Sequence, residues 1–182
     1  AGSDFVQAMA ADPAGNIYFS DGFYVKKWTA ATNSVSTLID SSSNSINFTP
    51  SIALNAAGDI FIADRNAGKV LKWEAATSTL STIVPIAASP AAVAVDAAGN
   101  VYFNDNRTIK RWTASTSSVS TVFTSSFFVN GLTLDAKGDI YFYNQSSGIR
   151  KVKVSSGLGP AVNVGTLREP YGSAIDAFGN LY

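Results

Sequence analysis

The sequence predicts an all-β protein, a β-propeller of four-stranded antiparallel blades, from three observations. First, the pattern Asp/Asn-x-x-Gly-Asn/Asp followed by an aromatic-rich stretch occurs five times, beginning at Asp12, Asn55, Asp96, Asp135 and Asp176. Second, these starts lie 43, 41, 39 and 41 residues apart, and a period near 40 is typical of propeller blades or helical-pair repeats. Third, the segments between turns are short and rich in β-branched and aromatic residues, which favours strands over helices.

Each repeat has room for four strands, called A, B, C and D in chain order. The strands predicted for the second and third repeats are A at 51–55 and 92–96, B at 59–64 and 100–105, C at 69–74 and 109–113, and D at 80–84 and 119–123. Four antiparallel strands per repeat are what a propeller blade requires.

The repeats also predict the domain organisation. We expect a single domain over 1–182, with blades at about 5–48, 49–88, 89–127 and 128–168 and a partial blade at 169–182. Because the fifth repeat stops soon after its strand B begins, the propeller is expected to be incomplete in this chain, with four full blades plus the start of a fifth. Its open blade edges are expected to allow self-association.

The repeated acid and glycine have a structural explanation. A short acidic or amide side chain accepts hydrogen bonds from the backbone just ahead of it, and glycine supplies the positive φ of a tight hairpin. In the alternative, Asp12, Asp96 and Asp135 would form a metal or acid–base set. That alternative is disfavoured, because each of these residues belongs to a separate blade and is used in its own turn.

Composition excludes several classes of function. The chain has no cysteine and no histidine, so it has no disulfide, zinc–thiolate site or thiol nucleophile, and it lacks the commonest general base. No apolar run approaches the roughly 20 residues of a membrane-spanning helix. The low charged fraction, with abundant Ser, Thr, Asn and Ala, is typical of secreted bacterial proteins, and we expect an extracytoplasmic or secreted location.

Two columns of charged or polar residues recur in the repeats. Strand B ends in Asp21, Asp64, Asp105 and Asn144, and strand C carries Lys27, Lys72, Arg111 and Lys151. The basic column could form a belt for phosphate or RNA. Because Lys plus Arg equals Asp plus Glu at 13 each, we instead expect the columns to pair with each other or to be solvated, and we do not expect a nucleic-acid partner.

The repeat resembles the NHL-repeat β-propellers. The matching pieces are GNIYFSD with VKKW, GDIFIAD with VLKW, GNVYFND with IKRW, and GDIYFYN with IRKV. This resemblance covers nearly the whole chain and implies a propeller that acts mostly as a binding scaffold for proteins, RNA or small ligands, with a minority of enzymes. The Asn-Asn dipeptide typical of the family's B–C loop is absent from every repeat, so the binding properties of the family do not transfer.

A second resemblance concerns the segment VNGLTLD (129–135), which is similar to the Asn-Gly-Leu segment of gluconolactonase and regucalcin-like propellers. It implies that Asn130 is the candidate ligand of a divalent cation at the channel mouth. A hard cation also needs carboxylate ligands. The aspartate and glutamate of that family would fall at Tyr171 and near Gln7, so we predict neither a catalytic residue nor a metal site.

The sequence therefore predicts a non-catalytic binding scaffold whose channel-mouth loops contact an unknown protein or small-molecule ligand. The ligand-binding residues expected at this mouth are Gln7, Asn130, Tyr171, Asn66 and Arg107. No cofactor is expected. The alternative is a metal-dependent lactonase or hydrolase of gluconolactonase-like type, with calcium as its cofactor and its remaining ligands in missing blades.

Overall fold

The computed structural model of the protein describes residues 6–21, 24–40, 46, 51–144, 148–154, 160–165, 173–176 and 178–182. These residues form sixteen strands in four sheets, joined by turns, with no helix among them. In each sheet the four strands pair antiparallel in chain order. The predicted all-β fold class is confirmed, and the described ranges contain no helix long and apolar enough to cross a membrane.

The chain forms two compact units, residues 1–91 and 92–182. The first unit contains β1 (Ala8–Ala11), β2 (Ile17–Ser20), β3 (Tyr24–Thr29), β4 (Ser34–Asp40), β5 (Ser51–Leu54), β6 (Ile60–Asp64), β7 (Lys69–Glu74) and β8 (Thr79–Val84). The second contains β9 (Val93–Val95), β10 (Val101–Asp105), β11 (Thr108–Thr113), β12 (Ser118–Thr124), β13 (Gly131–Leu134), β14 (Ile140–Asn144), β15 (Gly148–Val152) and β16 (Val162–Gly165). The eight predicted strands agree with β5–β12 to within one residue at each end.

Each unit has its own hydrophobic core, built from both of its sheets. The buried core residues of the first unit are Tyr18, Val25, Ile39, Ile46, Ile52, Ile60, Ile62, Leu71 and Trp73. Those of the second unit are Ala92, Ala94, Tyr102, Ile109, Val129, Leu132, Ile140, Phe142 and Val152. Burial of these aliphatic and aromatic side chains is the main source of stability in each unit.

The hairpin between strands A and B confirms the turn prediction. In the third blade, Oδ1 of Asp96 accepts hydrogen bonds from the backbone nitrogens of Ala98 (3.0 Å) and Asn100 (2.8 Å). Gly99 has a φ of 80°, a left-handed conformation that glycine adopts without steric strain. Asp12, Asn55, Asp135 and Asp176 accept the equivalent bonds in their own turns.

The fifth residue of the repeated pattern has a second structural role. Its side-chain oxygen Oδ1 accepts a hydrogen bond, at 2.9–3.1 Å, from the backbone nitrogen of a residue one or two positions after the end of strand C. The four pairs are Asn16 with Ala30, Asp59 with Ala75, Asn100 with Ala114, and Asp139 with Val154. The pattern therefore closes one hairpin and also fastens the end of the next strand.

Candidate functional site

The segment between β12 and β13, residues 125–130, is held against the tight turn between β10 and β11. The backbone nitrogen of Ser125 donates to the carbonyl of Arg107 at 2.7 Å, and that of Val129 donates to the carbonyl of Asn106 at 2.9 Å. Asn106 has a φ of 57°, a conformation that asparagine tolerates better than most residues. We call residues 106–107 and 125–130 the loop frame.

The loop frame carries a small exposed surface of aromatic and cationic side chains. Phe127 and Phe128 are 45% and 57% exposed. The guanidinium carbon of Arg107 lies 5.2 Å from the ring centroid of Phe128, within the range of a cation–π interaction. The backbone nitrogen of Phe127 donates to Oγ of Ser125 at 3.1 Å. We call Arg107, Phe127 and Phe128 the aromatic patch.

A buried asparagine fastens the loop frame to the sheet behind it. Asn104, in β10, is 2% exposed. Its Oδ1 accepts a hydrogen bond from the backbone nitrogen of Ala92, and its Nδ2 donates to the carbonyl of Val129, both at 2.7 Å. Buried polar groups need such partners, because an unmade hydrogen bond away from water is costly. Asn104 therefore joins the segments that precede β9 and β13.

The end of the loop frame is fitted to Tyr143 in β14. The backbone nitrogen of Asn130 donates to the carbonyl of Tyr143 at 3.0 Å, and Gly131 pairs with Tyr143 across the two strands. A Cβ on Gly131 would lie 2.6 Å from Cζ of Tyr143, so the ring occupies the space that a side chain would need. Burial raises the pKa of the Tyr143 hydroxyl.

Two of the acids that end strand B are paired with a lysine of their own blade. Asp21 pairs with Lys26, and Asp105 pairs with Lys110. The partners lie one residue before the basic column that contains Lys27 and Arg111. Strand geometry explains this difference, because successive side chains point to opposite faces of a sheet.

A cleft of about 400 Å³ lies at the opposite end of the second unit, between the A–B hairpins of its two blades. It is lined by Val95–Ala98 and Leu134–Gly138. Its two carboxylates already accept hydrogen bonds from the backbone of their own turns. This cleft is therefore explained by the hairpins that form it, and the loop frame is the better candidate for a binding site.

Comparison with known proteins identifies the fold. A scan against protein-family models and a search of curated protein sequences give no match. Among solved structures, an auxiliary nutrient binding protein from Bacteroides ovatus matches with a TM-score of 0.76 and 13% identity, over 98% of this chain and 46% of that one. A gluconolactonase-like protein matches with a TM-score of 0.75 and 14% identity, over 97% of this chain and 70% of that one. Virginiamycin B lyase from Staphylococcus aureus matches with a TM-score of 0.74 and 11% identity, over 99% of this chain and 64% of that one.

The chain is a β-propeller. Its four-stranded sheets β1–β4, β5–β8, β9–β12 and β13–β16 are the blades. The propeller spans 46% to 70% of the length of these three structures. Identities of 11% to 14% establish the fold alone and assign no family.

The propeller brings two of the predicted site residues together. Arg107 and Asn130 both belong to the loop frame. Gln7 and Asn66 lie in the first unit and are exposed: Gln7 donates its backbone N–H to the carbonyl of Ser20 at 2.9 Å, and Asn66 lies in the turn between β6 and β7. Tyr171 lies outside the described residues. As a ligand-binding set, these residues remain a prediction.

The role of Asn130 as a ligand of calcium remains a prediction. Within the part of the chain that the structure describes, no group of three or more His, Cys, Asp or Glu side chains converges. Calcium requires six to eight oxygen ligands, with carboxylates among them.

Sequence reasoning missed four residues at this site: Asn104, Phe127, Phe128 and Tyr143. Two of them, Asn104 and Tyr143, occupy the same position of strand B, where the first two blades have Ser20 and Ala63. The residue type at this position differs in every copy of an otherwise regular repeat, and that variation was the available signal.

The fit of Tyr143 over Gly131 gives a testable prediction. Gly131→Ala should lower the free energy of unfolding by about 1–3 kcal/mol, because a side chain forced into occupied space must displace its neighbour. Urea denaturation measures this loss. In a Tyr143→Leu background the same substitution should be much less damaging. Gly165→Ala is the matched control, since a Cβ there would meet Ile149 at an ordinary 3.8 Å; equal losses at the two glycines would contradict the interpretation.

Proposed function

We propose that this propeller is a non-catalytic binding module that contacts its partner through loops at the B–C end of its blades. The observation that carries the proposal is the loop frame, which keeps two phenylalanines and an arginine at the surface. Adjacent exposed apolar side chains are candidates for an interaction site, and aromatic residues and arginine are enriched at binding surfaces.

One comparison supports this proposal: the Bacteroides ovatus structure of the same fold is named an auxiliary nutrient binding protein. The partner of this chain would be a protein or a small-molecule ligand, encountered outside the bacterial cytoplasm.

The proposal is tested by an array experiment that does not assume the ligand. Because the chain has no cysteine, Ser115→Cys in the exposed turn between β11 and β12 gives one thiol for biotin, away from the loop frame. The biotinylated chain is applied to arrays of glycans and of random peptides. Saturable binding to at least one class is expected, and a lack of binding on both arrays would overturn the proposal.

A metal-dependent lactonase is the second candidate, because Asn130-Gly131-Leu132 is similar to the gluconolactonase segment and a gluconolactonase-like structure shares the fold. The two functions are separated by assaying glucono-lactone hydrolysis with and without calcium. If the chain is a binding module, the lactone should be hydrolysed no faster than in buffer alone, and calcium should not shift the thermal midpoint of the chain. A calcium-dependent rate that Asn130→Ala abolishes would establish the lactonase instead.

A further inference from the structure

We propose that the aromatic patch, Arg107, Phe127 and Phe128, binds a protein segment in which an acidic residue neighbours a large apolar side chain. This inference rests on the proposed binding function and names the chemistry of the partner. It is carried by the exposure of the patch, by the hydrogen bonds that hold its backbone in place, and by the N–H groups of Arg107 that could bind a carboxylate.

The two phenylalanines provide the apolar half of the contact. They are adjacent in sequence, and about half of each side chain is exposed. Aromatic side chains bury a large area on binding while losing little conformational entropy. A leucine, phenylalanine or tryptophan of a partner segment is the kind of side chain that covers such a surface.

The backbone beneath the patch is already fixed. The loop frame has bonds from Ser125 and Val129 to the adjacent turn, and Asn104 bonds the carbonyl of Val129 from behind. The backbone N–H of Phe127 is also satisfied, by Oγ of Ser125. A loop held in this way does not have to be ordered when a partner binds, and this preorganisation strengthens binding.

Arg107 supplies the electrostatic half. Its guanidinium group is placed against the ring of Phe128, and no salt bridge to Arg107 is found within the described ranges. A guanidinium that stacks through its face keeps its N–H edges for a carboxylate, which it can bind through two hydrogen bonds. The nearest acid in sequence, Asp105, is paired with Lys110. Charge complementarity therefore favours an acidic partner.

A protein segment fits the patch better than a nucleic acid does. Binding to a phosphate backbone depends on several cations placed along a surface, whereas the patch has one. The net charge of the whole chain is zero. One arginine beside two aromatic rings instead matches a single carboxylate beside an apolar side chain.

The experiment is selection of binding peptides from a phage-displayed library of random short sequences on the immobilised intact chain. The consensus is expected to contain Asp or Glu beside Leu, Phe or Trp. A synthetic peptide of that consensus is then titrated by fluorescence anisotropy against the unmodified chain and against variants. Phe128→Ala and Arg107→Gln should each weaken binding by about tenfold or more, and Arg107→Gln should also reduce the dependence of the affinity on salt.

Lys153→Gln is the matched charge control, because Lys153 is an exposed cation that follows β15 at the opposite end of its blade; it should leave the affinity unchanged. The patch side chains are exposed, so their variants should keep the thermal midpoint of the unmodified chain. Selected peptides that lack acids, or that bind Phe128→Ala and Arg107→Gln at full strength, would overturn this inference while leaving the binding function standing. Selection of no peptide, or competition by polyuridylate at the patch, would overturn it as well, and the glycan array then decides the binding function separately.

Discussion

Replacing Asn104 by alanine is expected to lower the free energy of unfolding by about 2–4 kcal/mol. The substitution removes two hydrogen bonds of 2.7 Å and leaves the N–H of Ala92 and the carbonyl of Val129 without this partner in a buried environment. Each buried polar group that loses its partner costs about 1–3 kcal/mol. Urea denaturation followed by tryptophan fluorescence measures the loss, and amide exchange at Ala92 should become faster.

A second substitution at the same position tests whether the amide donor is required. In Asn104→Asp the carboxylate can still accept from Ala92, but it cannot donate to the carbonyl of Val129. Because the carboxylate would also be buried facing that carbonyl, which is costly, we expect the aspartate variant to be destabilised as much as the alanine variant although it keeps one of the two bonds.

The control is Asn106→Gly, two residues away. Asn106 is exposed and has a φ of 57°, so glycine is compatible with its backbone, and the carbonyl that binds Val129 is retained. A change within about 0.5 kcal/mol is expected there. If Asn104→Ala were equally harmless, Asn104 would not be what holds the loop frame in place.

Most of the fold follows from local sequence signals. Strands β5–β12 were predicted to within one residue at each end, because period-2 patterning and Asp-x-x-Gly turns act over a few neighbouring residues. The repeat then supplies the strand order, since each copy of about 40 residues must satisfy its own hairpins before it can pack against the next.

The candidate site was harder to predict because its contacts are not local. Asn104 reaches partners 12 and 25 residues away in the chain, and no pattern within one repeat indicates that Ala92 and Val129 meet around it. Arg107 was predicted on its position in the B–C turn, but its aromatic neighbour Phe128 lies on a connection whose sequence does not repeat.

The partners within the charged columns were also not predictable from the sequence alone. Pairing was expected, but the partners were set by which face of the strand each side chain occupies. Lys110 faces Asp105 because the two lie on the same side of the sheet, whereas the adjacent Arg111 pairs across the strands with Tyr102. The alternation of side chains along a strand is predictable from the sequence. Which residues of the strand face which side of the sheet is known only once the register between the paired strands is known.

The A–B hairpin of the fourth blade differs in its charge from the hairpins of the first three blades. Its hairpin has acids at both ends of the repeated pattern, Asp135 and Asp139, whereas the earlier blades combine one acid with one asparagine. In those blades the asparagine Nδ2 donates to the carboxylate at 2.8–3.0 Å. In the fourth blade Lys151 takes this role, with its Nζ 3.0 Å from Asp135 and 3.1 Å from Asp139.

Lys151 is correspondingly stabilised in its charged form. Burial opposes the charge, but hydrogen bonds to Tyr141, Asp135 and Asp139 outweigh it and raise the pKa of Lys151. A raised lysine pKa stabilises the folded state at every pH below the unfolded value of about 10.4, and the contribution is lost as pH rises through the folded value. The stabilisation is therefore fully present at neutral pH.

We expect Lys151→Met to lower the free energy of unfolding at neutral pH by about 3–5 kcal/mol, because it leaves two largely buried carboxylates without their cation. The difference from the unmodified protein should shrink as the solution is acidified, since a proton shared between the carboxylates then relieves their repulsion. Urea denaturation at several pH values measures both effects.

Adding Asp139→Asn to Lys151→Met should restore most of the lost stability. The double variant recreates the acid–asparagine pair of the other blades, and the asparagine Oδ1 can still accept from the backbone nitrogen of Val154, as Asp139 does at 2.9 Å. Lys27→Met is the matched single control: Lys27 lies over the ring of Tyr18 at 5.1 Å and has no ion pair in the described part of the chain. A loss of about 0.5 kcal/mol or less is expected there. If the double variant were no more stable than Lys151→Met, carboxylate repulsion would not be the reason that the fourth blade carries its lysine.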